Sequence, residues 1–281
     1  MIKITPNEIK VISKYIYDIS GISLDEKKAY LIETRLKVIL ENEGILSYLE
    51  LYQKAKSDKS RLLERKIIDA VTTNETLFFR DNSPFDMFRH KVMPDLIDKR
   101  AAQTSGLTPI NLRIWSAACS TGQEIYSLAI ILKELLPDRK KYNIQLLGTD
   151  ISDEAVAKAS YGKYTKFEVE RGLDKDRLQR YFVPNGTSWK IRDDIRAMTI
   201  FQKRNLMDSF KGVGQFDVIF CRNVAIYFSI EDRKRLFERI AGVLAPDGYL
   251  IIGSTESLTG ICPIFEPQRH LRSVFYQLKS F

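Results

Sequence analysis

Apolar residues recur at helical spacing through the first quarter of the chain. This spacing predicts four helices, over residues 7–20, 25–40, 47–56 and 60–71. Thr5 precedes the first apolar stripe as a typical N-cap, and Gly21 is a typical helix end. Short amphipathic helices in a row bury their apolar faces against one another. Residues 1–71 are therefore predicted to form a small all-helical N-terminal domain.

The middle of the chain changes from strand spacing to helical spacing within a few residues. Leu112 and Ile114 alternate with polar residues, as in a strand, and Ile125 and Leu128 then follow at helical spacing. The run of small residues between them, 116–122, has little bulk. Strand, small-residue turn and helix bring the backbone close to a nucleotide-like ligand in α/β folds, although many such turns serve packing alone.

Further strand patterns follow this unit, over residues 142–150, 199–202, 216–221, 249–253 and 273–278. Helical patterns over 152–160 and 231–244 separate some of them, which predicts an α/β fold with a mostly parallel sheet. Ligands of such sheets lie at the carboxyl ends of the strands. Five residues with suitable chemistry are predicted to converge there: Gly122, Glu124, Asp150, Asn205 and Asn223.

Asp150 stands at the end of the second predicted strand and just before a helix. An acid at this position of a nucleotide-binding fold can accept hydrogen bonds from two ribose hydroxyls. A carboxylate near a helix start is also favourable for the helix alone. Its spacing from the small-residue turn favours the ribose role.

Two segments depart from the alternation of strand and helix. Residues 161–203 carry aromatic residues, turn signals and short alternating runs, which predict an inserted β-subdomain of small antiparallel strands. Residues 72–90 form a connector between the helical domain and an α/β domain over 91–281. The connector mixes hydroxyls, an amide, two phenylalanines and Arg80. That mixture suits a segment bordering a ligand cleft, or a hinge anchored by its aromatic side chains.

The net charge of +8 is concentrated in one part of the 281-residue chain. Residues 155–205 carry 12 basic and 6 acidic side chains, whereas residues 1–90 are nearly balanced with 15 and 14. A basic segment attracts an acidic partner, whether a nucleic acid or a protein surface, or is simply a solvated face.

Three distant cysteines and two histidines predict neither a disulfide framework nor a metal site. We expect a cytoplasmic protein without a secretory signal or membrane span.

Four short segments form a specific combination: TTNETLFFR at 72–80, SAACSTGQE at 116–124, GTDI at 148–151 and FCRNVAIYF at 220–228. Together they resemble the CheR family of chemotaxis receptor methyltransferases. The closing turn and strand at 245–250, APDGYL, is frequent among S-adenosylmethionine-dependent methyltransferases in general. The resemblance covers nearly the whole chain. Two departures stand out, because the glycine-rich signature is reduced to Gly122 and Gln123 replaces the first of two acids.

The resemblance implies a Rossmann-like S-adenosylmethionine-dependent methyltransferase sheet with the inserted β-subdomain, preceded by the helical domain. It implies transfer of a methyl group from S-adenosylmethionine to glutamate side chains of a chemoreceptor's cytoplasmic helical region, with S-adenosylhomocysteine as the other product and no metal. A monomer is expected. By motif position, the implied cofactor-binding residues are Asn74, Thr76, Arg80, Gly122, Glu124, Asp150, Asn205, Leu206, Arg222 and Asn223.

Arg80 and Tyr227 are the candidate catalytic residues. A guanidinium binds carboxylates in a forked geometry, so Arg80 is expected to hold the carboxylate of the acceptor or of the donor. Tyr227 is expected to orient the acceptor oxygen, with packing beside Phe228 as the alternative. A glutamate-rich helix is negatively charged, and the basic face of the second helix becomes a candidate receptor-docking surface. That face carries Lys27, Lys28, Arg35 and Lys37.

Two other functions compete with this interpretation. Basic charge suits a nucleic-acid methyltransferase, but the chain has neither an Asn/Asp-Pro-Pro-aromatic stretch nor a Pro-Cys nucleophile. The second alternative is a non-catalytic protein that binds the methyl donor to regulate a partner. Neither alternative predicts an alkali-labile methyl ester on a receptor.

Overall fold

The computed structural model describes residues 2–24, 29–103 and 108–279. The first four helices are α1 (Pro6–Ser20), α2 (Ala29–Asn42), α3 (Tyr48–Ser57) and α4 (Leu62–Val71). Thr5 caps α1 through a reciprocal capping box with Glu8, and Gly21 ends the helix at a φ of 75°. Both ends of α1 therefore follow from the signals in the sequence.

The four helices pack around an apolar core of their own. Its buried side chains all come from residues 12–71, with Ile16, Ile32, Leu36 and Leu51 fully excluded from solvent. Burial of a single leucine or isoleucine side chain contributes roughly 1.5–3 kcal/mol. The predicted helical N-terminal domain is confirmed.

A long helical segment follows the connector, in three parts: α5 (Ser83–Met87), a π-helical turn (Phe88–Val92) and α6 (Met93–Gln103). The apolar pattern of the sequence predicts one helix over residues 84–100, without a π turn. A π turn carries an extra residue, which rotates the apolar faces of α5 and α6 relative to each other.

The main sheet has seven strands in the order β6-β2-β1-β7-β8-β10-β9. They are β1 (Ile110–Ala117), β2 (Tyr142–Asp150), β6 (Thr199–Lys203), β7 (Phe216–Cys221), β8 (Leu244–Ile252), β9 (Phe265–His270) and β10 (Ser273–Leu278). The first five of these pair in parallel, and the last two complete the sheet in antiparallel orientation. The predicted α/β fold is confirmed, but the edge strand β9 is not predicted because Pro267 and exposed polar residues obscure its pattern.

Helices cover both faces of the sheet: α7 (Gln123–Leu135), α8 (Asp153–Tyr161) and α12 (Ile230–Ala241). Two apolar cores result, one on each face. From β1 the chain adds strands first on one side, to β2 and β6, and then on the other, to β7 and β8. The order therefore reverses between β1 and β7, which is where such sheets open a ligand crevice.

The insertion forms a separate three-stranded antiparallel sheet, as predicted. Its elements are β3 (Lys163–Thr165), α9 (Lys166–Glu170), α10 (Lys175–Tyr181), β4 (Phe182–Asn185), β5 (Ser188–Ile191) and α11 (Asp193–Arg196). The predicted boundary at residue 203 is too long, because β6 pairs with β2 in the main sheet. We call residues 161–198 the β-subdomain.

Short 3₁₀ turns at Arg139–Lys141 and Ala225–Tyr227 complete the described elements. No helix in the described ranges has the length and apolar composition needed to cross a membrane.

Candidate active site

A cavity opens at the carboxyl ends of β1 and β7, where the strand order reverses. Most of the residues predicted as cofactor-binding or catalytic line it, although they come from widely separated parts of the chain: Asn74, Thr76, Arg80, Glu124, Asp150, Asn205, Leu206, Arg222, Asn223 and Tyr227. The structure therefore brings the connector, the small-residue turn and three strand ends to one place.

Gly122 does not line this cavity, although the sequence predicts it as a cofactor-binding residue. Its φ of 95° favours glycine, and a Cβ built on it would lie 2.9 Å from the Cβ of Ala159 and 3.1 Å from the Tyr164 hydroxyl. The missing side chain lets the start of α7 pack against α8 and the β-subdomain. Gly122 therefore serves helix packing in this structure, and the close ligand approach expected for it stays a prediction.

Hydrogen bonds from its backbone and from a serine hydroxyl hold the turn before Gly122 against its neighbours. The N–H of Cys119 donates to the Thr149 carbonyl (2.8 Å), and the N–H of Ser120 donates to the Asp150 carboxylate (2.8 Å). The Ser120 hydroxyl donates to the Asn74 carbonyl at 3.0 Å. Strand β2 and the connector are thus fixed relative to the turn.

Asp150 is almost completely buried at the cavity wall, with 6% of its surface exposed. Its second carboxylate oxygen accepts from the backbone N–H of Ser152 at 3.0 Å. Burial raises the pKa of the Asp150 carboxyl, and the N–H groups of Ser152 and Ser120 oppose this by favouring the ionised form. The two backbone donors also fix the direction of the carboxylate.

Arg222 and Glu124 form an ion pair at the cavity wall, in which the Arg222 side chain is buried and the Glu124 side chain is half-buried. Glu124 accepts from Arg222 at 2.9 Å and from the Ser116 hydroxyl at 2.8 Å. The other terminal nitrogen of Arg222 donates to the Asp81 carboxylate (2.8 Å) and the Arg80 carbonyl (3.0 Å). Arg222 is predicted to bind the cofactor, but both of its terminal nitrogens are hydrogen-bonded to protein groups. Its buried Nε has no partner in the described part of the chain.

The two candidate catalytic side chains are half-buried at the cavity wall. The Arg80 guanidinium donates to the Glu75 carbonyl at 3.0 Å. The Tyr227 hydroxyl makes no hydrogen bond to any described residue, and its carbonyl accepts from the N–H of Ser23 at 2.9 Å. Tyr227 and the more deeply buried Phe228 both line the cavity. The catalytic role of Tyr227 stays a prediction, with packing beside Phe228 as its alternative.

One wall of the cavity comes from the N-terminal domain, which the sequence did not predict. Its residues lie at the end of α1, in the segment after it and on α2: Ser20, Ile22, Ser23, Leu24, Leu31 and Arg35. The side-chain amide of Asn205 holds this segment by donating to the Ile19 carbonyl at 3.1 Å. The signal in the sequence was weak, since apolar Ile22 and Leu24 directly follow a helix end.

The residues predicted for receptor docking lie in different surroundings. Arg35 donates to the carbonyl groups of Val71 and Thr72 (3.2 Å to the latter) and to the Thr73 hydroxyl at 2.9 Å. Arg35 therefore holds the start of the connector. The Lys37 side chain is exposed and pairs weakly with Glu41 at 3.6 Å. Lys27 and Lys28 lie outside the described residues.

Glu256 is a second feature that the sequence reasoning missed. One of its carboxylate oxygens accepts from the backbone N–H groups of Asn223 and Gly253, both at 2.7 Å. Asn223 has a φ of 57°, a backbone conformation that few residues adopt easily. Glu256 thus fixes the ends of β7 and β8 next to the cavity. An acid shortly after a buried strand was the available signal.

Comparison with protein families gives two matches that together span most of the chain. Residues 7–72 match the all-alpha domain of the CheR methyltransferases, and residues 74–270 match the SAM-binding domain of the same family. The boundary between them falls at the start of the connector.

Individual relatives agree with these matches. The chemotaxis protein methyltransferase Cher2 of Pseudomonas putida is 39% identical over 263 residues, which cover 92% of this chain and 93% of the relative. Chemotaxis protein methyltransferase 1 of Pseudomonas aeruginosa is also 39% identical, with the same coverage. The chemotaxis protein methyltransferase of Vibrio parahaemolyticus is 35% identical over 99% of both chains. The chain therefore belongs to the CheR methyltransferase family and is an S-adenosylmethionine-dependent methyltransferase.

Proposed function

We propose that the protein transfers the methyl group of S-adenosylmethionine to glutamate side chains in the cytoplasmic helical region of a chemoreceptor. The product is a glutamyl methyl ester. The observation that carries this proposal is the convergence of the connector, the turn and the strand ends on one cavity. The relatives named chemotaxis protein methyltransferases support the receptor as substrate.

The side chains around the cavity suit the chemical groups of the methyl donor. Carboxylates at Glu124 and Asp150 accept hydrogen bonds from hydroxyl and ammonium groups, and Arg80 offers a guanidinium to a carboxylate. Apolar Ile151 and Leu206 suit the flat face of a purine. We assign the donor to this cavity on that basis, together with Asn74, Thr76, Asn205 and Asn223.

The roles proposed for Arg80 and Tyr227 follow from the chemistry of the acceptor. A glutamate carboxylate is already ionised at neutral pH, so its oxygen attacks without a general base. The bound donor supplies a methyl group on a positively charged sulfur, which leaves with the electron pair of the broken bond. Arg80 and Tyr227 hold the attacking oxygen in line with that bond. Such positioning is worth roughly 7–11 kcal/mol of activation free energy.

Arg80→Ala and Tyr227→Phe test these roles. Each substitution is expected to lower the single-turnover rate about 10²-fold, because the acceptor oxygen loses its alignment. Binding of S-adenosylhomocysteine, measured by calorimetry, is expected to weaken in Arg80→Ala and to stay unchanged in Tyr227→Phe. Unchanged turnover in both variants would show that the catalytic assignment is wrong.

The basic face predicted for the second helix is the proposed docking surface for the receptor. Lys37 is available to an acidic helix, since its ion pair with Glu41 is long and exposed. Lys27 and Lys28 belong to the same proposal, and Arg35 contributes through its hold on the connector. Lys37→Glu is expected to raise the apparent KM for the receptor and to leave donor affinity unchanged.

Transfer of labelled methyl groups is the experiment that tests the function as a whole. Label on receptor glutamates that is released in mild alkali, as an ester should be, supports the proposal. Stable label on RNA would indicate a nucleic-acid methyltransferase, and tight donor binding without transfer would indicate a regulatory protein. Either result contradicts the proposed function.

We also propose that one chain acts alone, because residues of a single chain form the cavity wall on every side described above. The separate apolar core of the first four helices supports the proposed division into a helical domain (1–71), a connector (72–90) and a methyltransferase domain (91–281). Sedimentation with bound S-adenosylhomocysteine tests the monomer, and a dimer would contradict it.

A further inference from the structure

The connector that carries Arg80 has an unusual backbone conformation. Phe79, Asp81 and Asn82 have φ angles of 52°, 70° and 41°. None of them is glycine, and this region is unfavourable for residues with a Cβ, above all for a bulky one. Such conformations persist only where the surrounding structure holds them. The groups that hold these three residues therefore decide where the Arg80 side chain lies.

The β-subdomain packs directly against this part of the connector. A Cβ built on Gly172 would overlap the carbonyl oxygen of Phe78 and lie 2.8 Å from its carbonyl carbon. The Phe78 ring is fully buried and meets the rings of Tyr164 and Phe182 edge-on, at centroid distances of 5.0 and 5.4 Å. Gly172 and both aromatic partners belong to the β-subdomain, so it contacts Phe78 through backbone and ring alike.

Arg177 of the β-subdomain makes the next contact along the connector. Its guanidinium carbon lies 4.3 Å from the centroid of the Phe79 ring, which is a close cation–π distance. Two of its nitrogens donate to the Glu134 carboxylate, each at 3.1 Å, and this fixes the plane of the guanidinium. On the core side, the N–H of Phe79 donates to the buried Ser127 hydroxyl at 3.0 Å. Phe79 is thus held between the core and the β-subdomain.

We propose that the β-subdomain is a positioning element for methyl transfer. Through Gly172 and Arg177 it fixes the backbone of residues 78 and 79, and so the position of the Arg80 guanidinium in the cavity. Neither Gly172 nor Arg177 lines the cavity, so both are positioning residues. The inference rests on the catalytic role proposed for Arg80. It implies that displacing the β-subdomain, for example by a bound partner, changes the rate of methyl transfer.

Gly172→Ala is the first test, and Gly186→Ala is its matched control. Gly186 lies in the turn between β4 and β5, has a φ of 63° and has no atom within 4 Å of an added Cβ. The control therefore strains the same β-subdomain without touching the connector. Gly172→Ala is expected to speed amide hydrogen exchange in residues 75–82 by about tenfold or more, whereas Gly186→Ala leaves it unchanged. A displacement of about 1 Å can lower a rate about 10²-fold, so the single-turnover rate is expected to fall by about 10- to 100-fold.

A double-mutant cycle with Arg80→Ala separates positioning from a general loss of structure. If Gly172→Ala acts through Arg80, it has little further effect on the rate once Arg80 is replaced. Arg177→Gln, which removes the stacked guanidinium without adding bulk, provides a second variant should Gly172→Ala not fold. It is expected to produce a smaller increase in exchange over the same residues.

Wild-type exchange over residues 75–82 in Gly172→Ala, or in Arg177→Gln, would overturn the inference. The inference would also be overturned if the rate of the double variant fell by the product of the two losses measured for Gly172→Ala and Arg80→Ala alone. Hydrogen exchange does not depend on turnover, so it reports on the positioning contacts independently. Failure of the wild-type protein to form any methyl ester would instead count against the proposed function.

Discussion

The two ends of the parallel sheet carry similar charges in different surroundings. At the amino end, Arg100 on α6 donates to Asp217 and Asp247 at distances of 2.6–2.9 Å. Asp217 also accepts from the N–H of Arg113 at 2.8 Å. Each carboxylate therefore has a partner, and these pairs fasten α6 to β7 and β8.

At the carboxyl end, the pair of Arg222 and Glu124 is more deeply buried and less completely bonded. Arg222 has 1% of its side chain exposed, and its Nε has no partner in the described chain. A carboxylate oxygen of Glu256 is also buried without a partner there. Eight described residues other than glycine have positive φ, and six of them surround this end: Phe79, Asp81, Asn82, Ala118, Ser120 and Asn223.

This difference indicates that the charged contacts at the amino end of the sheet stabilise the fold, whereas those at the carboxyl end maintain the shape of the cavity. Strained backbone and unpaired buried atoms lower stability, by roughly 1–3 kcal/mol for each strained residue, and they concentrate at functional sites. A cavity must keep polar groups directed toward a ligand, so those groups cannot all be satisfied by the protein. Substitutions at the two ends should therefore separate stability from donor binding.

Arg222→Met is expected to have the largest effect. It leaves the half-buried Glu124 carboxylate without its cation. Because the pair is not fully buried, the loss of unfolding free energy should be about 3 kcal/mol, the lower end for buried ion pairs. The substitution also releases the Arg80 carbonyl and Asp81, so S-adenosylhomocysteine binding should weaken strongly. Urea unfolding and calorimetry measure the two effects. If Arg222→Met kept the stability and the affinity of the wild type, the two ends of the sheet would not differ as described.

Arg100→Met is the matched change at the amino end. Loss of its hydrogen bonds to two partly buried carboxylates should lower the unfolding free energy by about 1–3 kcal/mol. Where the variant is fully folded, its affinity for the donor should equal that of the wild type. The reason is that Arg100 lies at the opposite end of the sheet from the cavity. If affinity falls as it does in Arg222→Met, the two ends are coupled and the comparison fails.

Asp247→Asn is expected to have the smallest effect, and the effect should depend on pH. The hydrogen bond from Arg100 lowers the pKa of the Asp247 carboxyl below its ordinary value. A depressed folded-state pKa gives stability that is present above the unfolded pKa, about 3.9, and is lost as the pH falls through the depressed value. The stability difference between wild type and variant should be largest near neutral pH and shrink below about pH 4.

Urea unfolding at a series of pH values checks this expectation. Asp217→Asn provides a comparison, because it removes the other carboxylate bonded to Arg100. A wild-type stability advantage over Asp247→Asn that persists unchanged at low pH would show that the ion pair is not its source.

The positions of most site residues could be predicted because they follow from local rules. Helical spacing located α1–α4, cap signals located the ends of α1, alternating apolar residues located β1, and apolar runs located β2 and β7. Since the carboxyl ends of parallel strands meet at one edge, Glu124, Asp150 and Asn223 could be expected together before any distance was known. The acceptor and the connector residues came from resemblance to the family.

The sequence by itself thus determined the classes of element, the sheet and the edge at which a ligand site forms. Only the tertiary structure decided that residues after α1 form a cavity wall, that Gly122 packs against Ala159, that Arg222 bonds to the connector and that Gly172 contacts Phe78. These contacts join residues as far apart as Ile19 and Asn205. Periodicity and capping act over a few residues, whereas these contacts depend on how whole domains pack.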